Sequence, residues 1–134
     1  MGFLPPKDGP AYGHIDAFEP TSGRRMWTFK TRFVNMGSLL ATGGDLIFTG
    51  DIEGNALALD ARTGQKLWSF SIGGGISGSP ITYEVKGRQY VAIPAGNGGI
   101  IRRFLPQVWP EAKDFMPENA SALMVFALPQ QTSN

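Results

Sequence analysis

The chain contains no cysteine, which excludes disulfides, cysteine-held iron–sulfur clusters and haem attachment through C-x-x-C-H within it. It has one histidine, His14, and a single imidazole cannot by itself build a histidine-based metal site. The simpler reading of His14 is a half-exposed strand residue. Neither sign of charge is in excess, with 12 basic and 11 acidic residues for a formal net charge of +1. Nothing in that balance argues for nucleic acid or an anionic membrane surface as partner. No apolar run approaches the roughly 18 residues of a membrane-spanning helix, so no membrane span is expected. The first residues, MGFLPPKDGPAYG, lack a charged segment followed by an apolar core, and no signal peptide is visible.

What the chain has instead is glycine and proline, 18 and 10 of them in 134 residues, interspersed with short apolar runs. That composition suits many short strands and turns, and the length allows a sizeable core. One stretch organises the rest. GNALALDARTGQKLWSF, from Gly54 to Phe70, has a counterpart upstream in GHIDAFEPTSGRRMWTF, from Gly13 to Phe29. Gly13, Ala17, Glu19, Gly23, Trp27 and Phe29 stand opposite Gly54, Ala58, Asp60, Gly64, Trp68 and Phe70, each 41 positions earlier. Self-similarity at this period marks a propeller or solenoid. The small Ala17 and Ala58 are expected to leave space for a bulky side chain from an adjacent sheet, and the acid two residues on to accept backbone hydrogen bonds at the turn. Gly23 and Gly64 are expected to supply positive φ. Trp27 and Trp68 each carry a large apolar face and an indole donor that needs a partner.

In chain order, residues 1–11 read as an irregular lead-in held out of any ladder by Pro5, Pro6 and Pro10. Strands are expected at Tyr12–Glu19, Arg25–Thr31, Ser38–Ala41, Leu46–Gly50, Asn55–Asp60, Lys66–Ser71, Ile81–Val85, Gln89–Ile93 and Ser121–Leu128. Gly43-Gly44-Asp45 and Lys86-Gly87-Arg88 are the hairpin signals. Residues 97–120 hold Pro106, Pro110 and Pro117 without sustained periodicity, and a long irregular segment is expected there, with no helix. Residues 129–134 read as a tail. The fold class is therefore all-β. Four strands per repeat is the arithmetic of a propeller blade, so residues 12–128 should form a partial β-propeller of about two to two and a half blades with tryptophan-docking motifs.

The two repeats A-F-E-P-T-S-G-R-R-M-W and A-L-D-A-R-T-G-Q-K-L-W, the segment G-S-L-L-A-T-G-G-D-L-I-F-T-G-D-I-E-G-N between them, S-P-I-T-Y-E-V-K-G-R-Q-Y-V-A-I-P-A-G after them and the closing V-F-A-L-P together resemble the carboxy-terminal part of the quinoprotein alcohol dehydrogenases. These are eight-bladed propellers that use pyrroloquinoline quinone (PQQ) and calcium. The resemblance implies that the catalytic aspartate and calcium ligands come from blades with no counterpart here, so no catalytic or metal residue is carried over. What it implies for this chain is one wall of the cofactor pocket, at Asn35-Met36-Gly37 and Gly96-Asn97-Gly98-Gly99. Met36 and Asn97 stand where family members commonly place aromatic residues.

On that basis Asn35 is a candidate for hydrogen bonding a carboxylate or carbonyl of the quinone, Gly37 for letting the backbone approach it, and Met36 and Asn97 for lining it. The other reading is an ordinary loop between blades. Asp45, Asp51, Glu53 and Asp60 read as structural carboxylates serving turns rather than as an acid–base pair. The tract from Gly73 to Gly78 lacks the Lys-Ser/Thr and helix of a phosphate loop. The leading expectation is a fragment or subunit of an enzyme that oxidises a primary alcohol or polyol. It would contribute scaffold and one pocket wall, not be catalytic alone, and be periplasmic by resemblance. The alternative is a non-catalytic propeller module for assembly or protein binding. Uncovered blade faces would leave large side chains in water at about 1.5 to 3 kcal/mol each, so a homo-oligomer or a second chain supplying the remaining blades is the expected partner.

Overall fold

A computed structural model describes residues 9–10, 12–96, 98–115 and 121–129. Among the described residues, nine strands lie in three antiparallel sheets. The first sheet pairs β1 (Gly13–Phe18) with β2 (Arg25–Thr31). The second is a complete four-stranded blade in sequential order, β3 (Leu40–Ala41), β4 (Leu46–Gly50), β5 (Asn55–Asp60) and β6 (Lys66–Ser71). The third contains β7 (Ile81–Val85), β8 (Arg88–Gly96) and β9 (Ser121–Ala127). This is the partial propeller expected from the 41-residue repeat.

The turns form for local reasons. Lys86 and Gly87, with φ of 51° and 75°, are the two central residues between the paired Val85 and Arg88; two left-handed residues in a two-residue connection match the right-handed twist of the strands. Asp45 closes the β3–β4 connection at φ 59°. Both repeats carry a register shift at the same place, between Ala17 and Phe18 and between Ala58 and Leu59.

Two differences from expectation have clear causes. β8 runs on to Gly96 through Pro94. β7 stops opposite Ala92, while β9 pairs with β8 along its whole length. Pro94 therefore lies where the strand is paired on one side only, the place a sheet tolerates proline. The stretch expected to be irregular folds instead as α1 (Gly99–Val108) and a 3-10 helix (Pro110–Phe115). Pro106 lies inside α1 but near its end, where it removes one hydrogen bond, and Pro110 opens the 3-10 helix, where its missing N–H has no helical partner to lose.

The main core fills the space between the second and third sheets: Phe48, Ala56, Ala58, Ile76, Val91, Ile93 and Ala95, with Trp68 and Phe126 packed against it. A satellite core of Phe33, Ile52, Leu105 and Ala112 ties the helical segment to the turn after β4.

Candidate functional site

The docking turns are built alike in both repeats. The Glu19 carboxylate accepts the Thr21 and Ser22 hydroxyls at 2.6 and 2.8 Å and their backbone N–H groups at 3.3 and 3.0 Å. The Thr21 hydroxyl first, then that of Ser22, holds Glu19 down at a pKa of about 2. Asp60 accepts the N–H groups of Arg62 and Thr63 at 2.8 and 2.9 Å, and its pKa is lowered, the Thr63 N–H being the largest cause. Gly23 and Gly64 then turn the chain at φ 68° and 72°.

The indole of Trp27 donates to the Ala61 carbonyl at 3.0 Å. Its ring lies against Gly64 so closely that a Cβ there would sit 2.6 Å from Trp27 Cε3. A tryptophan of the first sheet is thus seated on the turn of the next. Ala58 is buried in the core that meets the third sheet, and within their own sheets Ala17 and Ala58 are the cross-strand partners of Trp27 and Trp68. A small residue opposite each tryptophan lets the ring lie across its own strand pair. Trp68 stacks with Phe70 at 6.3 Å and meets Phe126 edge-on at 4.9 Å. It borders an apolar groove of about 360 Å³ between the second and third sheets, also lined by Phe48, Ala58 and Leu128.

The Asn35-Met36-Gly37 loop lies at the ends of β4 and of the tract before β7. Gly37 packs against backbone: a Cβ there would be 2.7 Å from the Gly50 carbonyl oxygen and 3.2 Å from that of Ile76. Its lack of a side chain therefore serves contact between loops. Ser38 continues the seam, its N–H to the Gly78 carbonyl at 3.4 Å and its hydroxyl accepting that of Ser79 at 2.9 Å. The end of β8 joins the same tract through the Gly96 N–H to the Gly75 carbonyl at 2.8 Å. Asn35 donates from Nδ2 to the Gly37 carbonyl at 3.2 Å, and its buried Oδ1 has no partner among the described residues. Met36 is exposed. Asn97 lies outside the described residues.

The carboxylates singled out in the sequence are distributed among separate tasks. Asp45 pairs with Arg62, and Asp51 binds the backbone and side-chain nitrogens of Asn55 at 2.8 and 2.9 Å. Glu53 and Asp51 share a polar cleft of about 300 Å³ between the first and second sheets, with Lys30, Arg32 and Lys66. Burial first, then the neighbouring charge of Asp51, raises the Glu53 pKa, and Arg32 opposes both. Arg32 is a residue that sequence reasoning missed. It faces Glu53 at 3.6 Å and Glu111 at 3.9 Å, with its guanidinium 4.7 Å from the Phe33 ring centre. Nothing local in the sequence could pair it with a carboxylate in the 3-10 helix. His14 is half-exposed, 3.4 Å from Asp16. Among the described residues no three His, Cys, Asp or Glu side chains group to hold a metal, and no helix is long and apolar enough to cross a membrane.

Residues 30–91 match the family model described as PQQ, the β-propeller domain of glucose/ethanol/alcohol dehydrogenases. Over 119 residues, 89% of its length, the chain is 40% identical to quinoprotein alcohol dehydrogenase PedH of Pseudomonas putida. The chain belongs to the quinoprotein alcohol dehydrogenase family. It spans 20% of the length of PedH. With subunit 1 of the cytochrome c-linked methanol dehydrogenase of Methylobacterium organophilum, it is 46% identical over 87 residues, 65% of this chain and 14% of that one. Among solved structures, the quinohemoprotein alcohol dehydrogenase of Comamonas testosteroni aligns with a TM-score of 0.65 and 36% identity, over 72% of this chain and 14% of that one. A europium-containing methanol dehydrogenase aligns with a TM-score of 0.72 and 30% identity, over 91% of this chain and 24% of the other. In this quinoprotein segment the three consecutive antiparallel sheets correspond to successive blades of a propeller.

Proposed function

We propose that this chain supplies scaffold and one wall of the quinone pocket in an alcohol-oxidising quinoprotein assembly, and is not catalytic by itself. The observation that carries this reading is the 40% identity to PedH along 89% of the chain, set against coverage of 20% of that relative. The reaction's base and metal ligands then belong to parts of the ring that this chain does not contain. When bound, PQQ would accept the electrons of the alcohol, with calcium or a lanthanide beside it. The ring's remaining blades would come from other segments or chains, in the periplasm.

The residues of the loop fit such a group in part. PQQ presents carboxylates and carbonyls, which need donors. One N–H of Asn35 is spent on Gly37 and its unpartnered Oδ1 is an acceptor, so only the second N–H of Asn35 can serve an anionic group. Met36, 39% exposed, can lay a thioether against a flat ring. Gly37 is taken up by Gly50, and its part is to set the height of the loop.

The test is quenching of tryptophan fluorescence by PQQ in the presence of calcium, compared among the chain, Met36→Trp and Asn35→Ala. Met36→Trp should tighten binding, because it restores the aromatic surface that the resemblance places there, and Asn35→Ala should weaken it. Identical titrations for all three would remove Asn35 and Met36 from the pocket wall. They would favour the second reading, a non-catalytic assembly module, for which the open apolar groove beside Trp68 is the supporting observation.

A further inference from the structure

The Asn35-Met36-Gly37 loop and the end of β8 are far apart in sequence, and two separate routes join them. One route is backbone. Gly37 rests on the carbonyls of Gly50 and Ile76, the Ile76 N–H donates to the Asp51 carbonyl at 2.8 Å, and the Gly96 N–H donates to the Gly75 carbonyl at 2.8 Å. The other route runs through side chains of the helical segment. α1 starts at Gly99, close behind the Gly96 end of β8. Its Leu105, together with Ala112 of the 3-10 helix, forms a buried cluster with Phe33 and Ile52. Phe33 stands just before Asn35 in the chain, and Ile52 just after Gly50. The two routes therefore close a circuit around both stretches.

The side-chain route is the firmer of the two. Phe33, Ile52, Leu105 and Ala112 are all buried, and Trp109 meets the Phe33 ring edge-on at 5.8 Å. Close-packed apolar side chains transmit a displacement rather than absorb it. The ion pairs of Arg32 with Glu53 and Glu111, at 3.6 and 3.9 Å on an exposed guanidinium, add little to that hold. The loop itself belongs to no strand, Asn35 bonds within the loop and Met36 is exposed. Its placement is inherited from its two anchors, Phe33 on one side and Gly37 on the other. All these contacts are internal to the chain, so none depends on a surface left uncovered.

We infer that Leu105 and Ala112 are positioning residues for the quinone pocket: the helical segment braces the Asn35-Met36-Gly37 loop through Phe33, so that this loop and the end of β8 hold one fixed relation. Neither residue need touch the quinone. The brace stands on the packing alone, while its service to the quinone rests on the function proposed above.

The test is Leu105→Ala, with Leu105→Met as the volume-conserving rescue. Gly64→Ala, which perturbs the remote seat of Trp27, is the control. The first readout is the native-state NMR shift of the Met36 methyl, assigned by its loss in Met36→Leu, and of the Gly96 amide. The second is fluorescence titration with PQQ in calcium. Leu105→Ala should displace both resonances and weaken quinone binding by about two- to thirty-fold, the range over which residues remote from a ligand modulate its affinity. Leu105→Met should restore both, and Gly64→Ala should move neither. Resonances that stay put in Leu105→Ala, or that move as far in Gly64→Ala, would overturn the brace. An unchanged titration beside displaced resonances would overturn its role in positioning. Displaced resonances in a chain whose wild type binds no PQQ would uphold the brace and overturn the quinone reading alone. Where circular dichroism shows Leu105→Ala unfolded, Leu105→Val makes the same comparison with a smaller cavity.

Discussion

Gly23 and Gly64 offer an experiment with its own control. They occupy the same place in the repeat, at φ +68° and +72°, yet a Cβ at Gly23 would meet nothing within 4 Å, while one at Gly64 would lie 2.6 Å from Trp27 Cε3 and 2.7 Å from Cδ2. Alanine at either position must adopt a left-handed conformation, at about 1 kcal/mol. At Gly64 the ring must also move away from the turn. That breaks the 3.0 Å indole bond to Ala61, worth about 1 kcal/mol, and overpacks the seat by about 1 to 3 kcal/mol. Gly64→Ala should therefore lose about 3 to 5 kcal/mol and Gly23→Ala about 1 kcal/mol, by the same principles. Urea unfolding followed by far-ultraviolet circular dichroism reads both. Equal losses would refute the argument, because backbone strain would then account for everything and the docked tryptophan for nothing.

Two further outcomes follow from the charges. Glu19, held at about 2 from an ordinary 4.5 by the Thr21 and Ser22 hydrogen bonds, contributes stability that is fully present above its unfolded value and is lost as pH falls through its folded one. Glu19→Gln should flatten the acid limb of stability between about pH 5 and pH 2, read as the urea midpoint against pH; an unchanged limb would mean that other carboxylates carry it. Arg32→Met removes the cation that opposes the raised pKa of Glu53. With Arg32 61% exposed, the cost in stability should be only about 0.5 kcal/mol, but the Glu53 pKa should climb further. The variant should then lose stability as pH rises through that value, and carboxyl-resolved NMR titration would expose a Glu53 pKa that stayed put or fell.

Much of this fold can be read from periodicity alone. Arg25–Thr31, Leu46–Gly50, Asn55–Asp60, Lys66–Ser71 and Ile81–Val85 begin and end where their turn residues place them, because Gly, Asp and the Lys-Gly pair act on the backbone locally. The carboxylate turns at Glu19 and Asp60 and the need of Trp27 for an indole acceptor are legible for the same reason. The helix was hidden by its prolines. Pro106, Pro110 and Pro117 argue against regular structure one at a time, and the contrary signal is Leu105, Trp109 and Ala112 at i, i+4 and i+7. Those three gain meaning only when Phe33 and Ile52 arrive from the other end of the chain to cover them. The pairing of Ala17 with Trp27 within one sheet depends on register, which composition does not encode. For the candidate pocket wall, the resemblance proposes the loop, but sequence does not reveal that Gly37 is consumed by contact with Gly50 or that Asn35 spends a donor on its own loop. Both are consequences of how the turns of two sheets meet.

The most direct test of the central claim, that this chain is quinoprotein scaffold and not a complete catalyst, is a dye-linked assay on the purified chain. It would be loaded with PQQ and calcium and offered a primary alcohol. The account predicts no dye reduction above that of free quinone, even where fluorescence shows quinone held by the chain. Sustained alcohol-dependent turnover would contradict it, since the chain would then have to contain its own base and metal ligands.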